Sequence, residues 1–276
     1  MICRRSVLRL GGLIACFGLF GPMARSGSPA AAAPAGSCEV FNAGHGGDNT
    51  ADLLARLDRD VLTRAPDVVI LLAGTNDLLN SRNAVSLEKY HENLRALVRR
   101  ISAKGAGVLL MTLPPAYPPY LLKRHPAEFY GAGGPAERIA AGNAVIREVA
   151  RENHVPVVDV FAALSAAGGA SALPASLIRN EANSGAADGV HPTAAGYHVI
   201  AGAVADVLAR ENLTAARRII CLGDSITFGV HVKGEGTATG ETYPAYLLQA
   251  LGEKFPTRTQ QPGSGAGDPA AGLHAR

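Results

Sequence analysis

Tryptophan is absent from the chain, and aromatic residues make up only 5% of it. A platform of stacked rings for sugars or bases would have to come from a few tyrosines. Cysteine is scarce, and no Cys/His group has the spacing of a zinc site; no metal and no cofactor is expected. A P-loop lysine and the G-x-G-x-x-G spacing are both missing around the glycine-rich "AGHGGDN", which argues against a nucleotide cradle. No repeat of fixed period is present. Charged residues are 18% of the total. No basic block follows the first segment, so nucleic acid is not an expected partner.

That first segment, residues 1–37, is read as an export signal resembling a twin-arginine signal. It has a basic head with Arg4-Arg5, an apolar stretch from Leu10 to Met23 and then small residues. Gly and Pro interrupt the stretch, which is short for a membrane span. The mature protein is therefore expected to be periplasmic or secreted, without stable membrane insertion. "LIAC" at Cys16 also resembles a lipoprotein cleavage box, a lower-ranked alternative because apolar "FGLFGPM" would then remain exposed. Removing the segment takes away four arginines and no acid, which lowers the formal charge from +3 to −1. Cys38 and Cys221 remain. Placed near opposite ends of neighbouring parallel strands, they are expected to stay free thiols, since a bridge needs Cα atoms about 5.5 Å apart.

The rest of the chain, with 47% hydrophobic residues overall, suits a single domain over residues 38–256, followed by a disordered tail at 257–276. Strands and helices alternate. "EVFN" starts a short strand, and Leu53, Leu54, Leu57 and Val61 mark a helix after it. "VVILLA" and "GVLLMTL" are apolar throughout, as in strands buried on both faces. Ser86 caps a helix whose inner face holds Leu87, Tyr90, Leu94, Leu97 and Ile101. A Pro-rich stretch from Pro114 to Pro135 is expected to lack regular structure over much of its length. A helix near Pro135–Asn153, a strand "VPVVDV" and a second loop, rich in Ala, Gly and Ser, come next. A helix from about Thr193, the strand "RIICLG" and a last helix capped by Thr242 complete the order. The pattern predicts a three-layer α/β/α sandwich with a five-stranded parallel sheet and right-handed crossovers.

Reactive groups in such sheets gather beyond the carboxyl ends of the strands. There the sequence places "AGHGGDNT", "GTND", "DGVHP" and "GDSITFG". Together they supply what acyl transfer needs. Ser225 is the candidate nucleophile and His191 the base that takes its proton. Asp188, three residues earlier, would orient the imidazole. The Ser225 N–H, the Gly47 N–H and the Asn76 amide are candidate donors to an oxyanion. Asp224 and Asp77 are read as structural carboxylates. His45 is either a site-lining or a solvated residue, and His91, His125, His154, His198, His231 and His274 are read as uninvolved. A glycosidase pairing of Asp224 with Asp188 would leave the serine and the donors without a role.

These four blocks resemble those of the SGNH (GDSL-type) hydrolase superfamily. The resemblance implies a flavodoxin-like sandwich and metal-independent cleavage of esters, thioesters or acetyl groups. Ser225 would be the nucleophile, Gly47 and Asn76 would complete the oxyanion hole, and Asp188 and His191 would finish the triad. The order departs from the family pattern, because the serine block comes last instead of first. Circular permutation is the expectation, with the first strand and helix moved to residues 217–256. The expected substrate is a short-chain acyl or acetyl ester, small or polymeric, with carbohydrate acetyl esters favoured. The alternatives are a thioesterase or lysophospholipase, or a catalytically silent carbohydrate- or lipid-binding module of the same fold.

Overall fold

The computed structural model describes residues 38–254. The segments read as export signal and as tail lie outside these residues. Five parallel strands form the sheet: β1 (Glu39–Gly44), β2 (Val68–Leu72), β3 (Gly107–Met111), β4 (Val157–Val158) and β5 (Arg218–Gly223). Their spatial order is β1-β5-β2-β3-β4. The strand that comes last in the chain thus lies between the first two. Counted from that strand, the order becomes 2-1-3-4-5, the flavodoxin-like arrangement.

Alternating side chains assign each strand to two cores, since successive residues point to opposite faces. Val69, Leu71, Val108, Leu110, Ile220 and Leu222 face one layer of helices. That layer contains α1 (Thr50–Asp60), α2 (Thr75–Leu79), α3 (Leu87–Ser102) and α6 (Gly134–Asn153). Val68, Ile70, Leu72, Leu109, Met111, Ile219 and Cys221 face the other. It contains α7 (Val160–Ala166), α9 (Ala194–Arg210) and α11 (Tyr243–Lys254). Burial on both faces explains why β2, β3 and, from Ile219 onward, β5 are continuously apolar. Cys38 and Cys221 are both free, and burial pushes the Cys221 thiol up to about 12.

Local signals set the helix ends. Ser86 Oγ accepts from the Lys89 N–H, Thr193 Oγ1 from Gly196 and Thr242 Oγ1 from Ala245. Each such cap contributes about 1 kcal/mol. Asp67 Oδ2 accepts from the N–H groups of Arg217 and Arg218 at 2.7 and 2.8 Å. The residue just before β2 thereby fixes the start of β5.

Four expectations need correction. The Pro-rich stretch contains two short helices, α4 (Pro118–Arg124) and α5 (Ala127–Tyr130). Pro118 and Pro119 open α4 because the first turn needs no intrahelical N–H donor. The strand "VPVVDV" shrinks to Val157–Val158, because Asp159 instead caps α7 by accepting from the Ala162 N–H. The loop after it holds α7 and α8 (Glu181–Ser184). Leu87, expected inside, is 42% exposed; it is the first helical residue and lies at the rim of a small surface pocket beside Val85 and Tyr130.

Candidate active site

Ser225 lies two residues beyond the end of β5 and opens α10 (Ser225–Phe228). The strand-to-helix turn is tight. A Cβ on Gly223 would lie 2.1 Å from Thr227 Oγ1 and 2.5 Å from the Leu72 carbonyl oxygen, so the glycine of "GDS" is a packing requirement. Asp224 caps the short helix through the Ile226 N–H at 2.9 Å. It is fully buried. Burial pushes its carboxyl up to about 6, against the pull of the Ile226 N–H.

Asp188 and His191 come from the turn before α9. Ile178 and Pro192 form an antiparallel bridge at its base. The Gly189 N–H donates to the Arg179 carbonyl, the Tyr117 N–H to the Gly189 carbonyl, and Arg124 Nη1 to the carbonyls of Ala187 and Asp188. Asp188 Oδ1 accepts from the N–H groups of Val190 and His191, both at 2.9 Å. Asp188 Oδ2 lies 2.9 Å from His191 Nδ1, and His191 Nε2 lies 3.0 Å from Ser225 Oγ. Burial alone would raise the Asp188 carboxyl. The hydrogen bond and charge of the His191 ring, together with the two N–H donors, hold it at about 2. An ionised carboxylate on Nδ1 keeps the proton there and leaves Nε2 as the acceptor for the serine hydroxyl.

Asn76 sits in the first turn of α2, after β2, the strand next to β5. Gly74 makes this turn possible: its φ is +125°, and a Cβ there would lie 2.7 Å from the Tyr90 hydroxyl, which donates to the Ala73 carbonyl. Asn76 Nδ2 donates to the Asp48 carbonyl at 2.9 Å, which joins it to the turn containing Gly47. Asn83 Nδ2 donates to the Gly47 carbonyl. Among the described residues no acceptor is bonded to the Gly47 N–H. Ser225, His191, Asp188 and Asn76 line a cleft of about 390 Å³; Gly47 belongs to the adjoining turn and is not part of that lining. The "GTND" block is therefore a helix start, and its Asp77 caps α1 by accepting from the Thr50 N–H and hydroxyl.

Three residues near the site were not singled out by sequence. Arg56 is buried, and it contacts Asp48 and Asp60 as well as the carbonyls that end β1 and β5. Its position between Leu53 and Leu57, on a helical apolar face, was the available signal. His125 lines the cleft with Nδ1 2.9 Å from Ser81 Oγ. Burial lowers its pKa, and Arg124 and Arg82 add to the effect. His231 lies edge-on to His191, with ring centroids 5.5 Å apart. Nothing in its local sequence indicates that approach. His45 faces Asp48 and Asp60 at 3.9 Å, in a smaller pocket away from Ser225.

Among the described residues, no helix is long and apolar enough to cross a membrane. The chain is 29% identical over 183 residues to an uncharacterized lipoprotein, YqeF, of Bacillus subtilis, covering 62% of this chain and 74% of that protein. It is 28% identical over 178 residues to an acetylxylan esterase of Geobacillus stearothermophilus, covering 59% and 69%. A crystal structure of a lipase/acylhydrolase from Enterococcus faecalis aligns at 25% identity with a TM-score of 0.45, covering 60% of this chain and 72% of that one. A family model described as GDSL-like lipase/acylhydrolase matches residues 20–199, more than half of the chain, ending before the serine block. With three of the blocks following β1, β2 and β5 of a five-stranded parallel sheet and the fourth in the turn before α9, this chain belongs to the GDSL-like lipase/acylhydrolase family, one of the SGNH hydrolases.

Proposed function

We propose that this protein is an exported serine esterase that removes short acyl groups, acetyl above all, with carbohydrate esters as its leading substrate class. The observation that carries the reading is the relay from Asp188 through His191 to Ser225, with contacts of 2.9 and 3.0 Å. His191 Nε2 takes the hydroxyl proton as Ser225 Oγ attacks the acyl carbonyl. It returns that proton to the departing alcohol, which leaves an acyl-enzyme. Water, deprotonated by the same nitrogen, then releases the acid. The Ser225 N–H opens a helix and so has no intrahelical acceptor. With the Gly47 N–H and Asn76 Nδ2 it serves the oxyanion, and loss of one such donor typically costs about 10²–10³ in rate.

Kinship with an acetylxylan esterase supports the acetyl-carbohydrate reading. The basic, then apolar, then small-residue order of residues 1–37 supports export. The block order is read as a circular permutation. In its support, α11 packs against β1, and a strand order counted from β5 is flavodoxin-like.

Ser225→Ala tests the mechanism. The variant should keep the wild-type circular dichroism spectrum and lose turnover of an aryl acetate, and a serine-directed phosphonate should label Ser225 in the wild type alone. Retained turnover, or an unlabelled wild-type serine, would overturn the esterase reading.

A further inference from the structure

We propose that Asp188, His191 and His231 together form a binding site for Zn²⁺, and that occupying it switches the ester-cleaving relay off. The three residues each offer one ligand atom, all within 4.8 Å of one another. Asp188 Oδ2 lies 2.9 Å from His191 Nδ1 and 3.8 Å from His231 Nε2. Ligands about 2.1 Å from a tetrahedral zinc lie ~3.4 Å apart, and these two separations bracket that value. Two imidazoles and a carboxylate, with a fourth position open to water, are donors that zinc favours.

His231 is held where the site needs it. Its N–H donates to Glu235 Oε1 at 2.6 Å, and its carbonyl accepts from Arg179 Nη1 at 3.3 Å. Its backbone is left-handed, with φ +71°. The ring is half exposed, so the ion has access from solvent. The relay does not need His231, because His191 Nδ1 already has its partner in Asp188.

Inhibition results from the proton balance. Zinc binds the lone pair of Nδ1, so the proton there leaves to solvent and an N–Zn bond replaces the N–H bond. The neutral ring then carries its proton on Nε2, supplied by solvent. Nε2 becomes a donor towards Ser225 Oγ and can no longer take the hydroxyl proton. A second grouping, His91, Glu148 and Glu152, is served by a cation already: Arg95 Nη2 lies 3.2 Å from His91 Nε2 and 3.0 Å from Glu152.

The inhibitory half of the proposal rests on the esterase reading; the binding half does not. Calorimetric titration of the full chain with ZnCl₂ should show one site in the wild type and in Ser225→Ala. His231→Asn should weaken that site at least tenfold, since Asn tolerates the left-handed backbone. His231→Gln provides a second variant should the first fail to fold. In the wild type, aryl acetate turnover should fall as the site fills and return with EDTA; in His231→Asn, inhibition should require at least tenfold more zinc. Absence of binding, or equal affinity in wild type and both His231 variants, would overturn the site. Binding that leaves turnover unchanged would overturn the switch. His231-dependent binding by a wild type without any turnover would support the site and count against the esterase reading alone.

Discussion

Arg56 Nη2 donates to the Gly223 carbonyl at 2.9 Å, across 167 positions of sequence. Its Nη1 reaches the Ala43 carbonyl at the same distance, and Nε reaches Asp48 Oδ2 at 2.6 Å. One buried guanidinium therefore ties the ends of β1 and β5 to the turn that carries Gly47. It adds a second donor at the Gly223 carbonyl, which also accepts from the His45 N–H, where the two strands part just before Ser225.

Arg56→Met should accordingly be strongly destabilising. It removes a donor from the Ala43 and Gly223 carbonyls and a guanidinium partner from Asp48 and Asp60. A loss of about 3–5 kcal/mol is expected, with Tm falling on the order of 10 °C in a domain of this size. Thermal unfolding followed by circular dichroism checks it; a shift within a degree or two would show that the strand ends do not depend on this side chain.

Asp188→Asn should leave the fold in place and lower kcat by about 10⁴, because an amide does not enforce the tautomer with Nε2 free. Steady-state kinetics on an aryl acetate measure this. A loss confined to KM would contradict an orienting role.

Asp224 gives a pH-dependent stability with a defined sign. Its folded carboxyl titrates at about 6, above the roughly 3.9 of an unfolded chain. The unfolded state loses this proton first as pH rises. Stability is therefore fully present below about pH 4, and is lost as pH rises to about 6. The loss approaches ~3 kcal/mol at neutral pH. Asp188, held at about 2, acts in the opposite direction, and its contribution is complete above about pH 4. Asp224→Asn keeps the acceptor for the Ile226 N–H, so the variant should match wild type in urea unfolding at pH 4 and exceed it at pH 7.5. Equal midpoints at both pH values would rule out a buried ionised Asp224.

Gly223→Ala should cost at least the 1–3 kcal/mol typical of overpacking, because the added methyl meets the Leu72 backbone as well as Thr227. Urea unfolding provides the number, and a neutral result would mean that the turn after β5 is looser than its contacts imply.

The permutation reading has its own test. A chain in which residues 217–256 precede 38–216 should refold to the same spectrum, with kcat unchanged and stability within about 1 kcal/mol, because only loop closure differs. Failure to fold would place the requirement in the present connection between α9 and β5.

The sheet and most helices were legible because their signals are local. Val68–Leu72 and Arg218–Gly223 are apolar at every inward-facing position, and Ser86, Thr193 and Thr242 each cap the helix that begins beside them. Ser225, His191 and Asp188 were legible because their chemistry is scarce: the serine follows a strand, and the aspartate and histidine sit three residues apart in one turn. Tertiary competition hid the rest. Asp159 serves a helix instead of a strand, and Pro118 starts a helix where proline count alone argued against one. His231 reaches His191 only because the segment after α10 folds back over the turn before α9. No periodicity records that approach.

The position of β5 also bears on how the protein assembles. β1 has a single neighbour in the sheet, and that neighbour lies 179 residues downstream, as the Glu39–Arg218 pairing shows. During synthesis the earliest strand emerges with no edge to join. It stays unpaired until β5 has left the ribosome, so a nascent chain halted before Arg218 has an unpaired first strand and lacks Ser225. Pairing of the first strand, closure of the sheet and delivery of Ser225 to the cleft thus become one event.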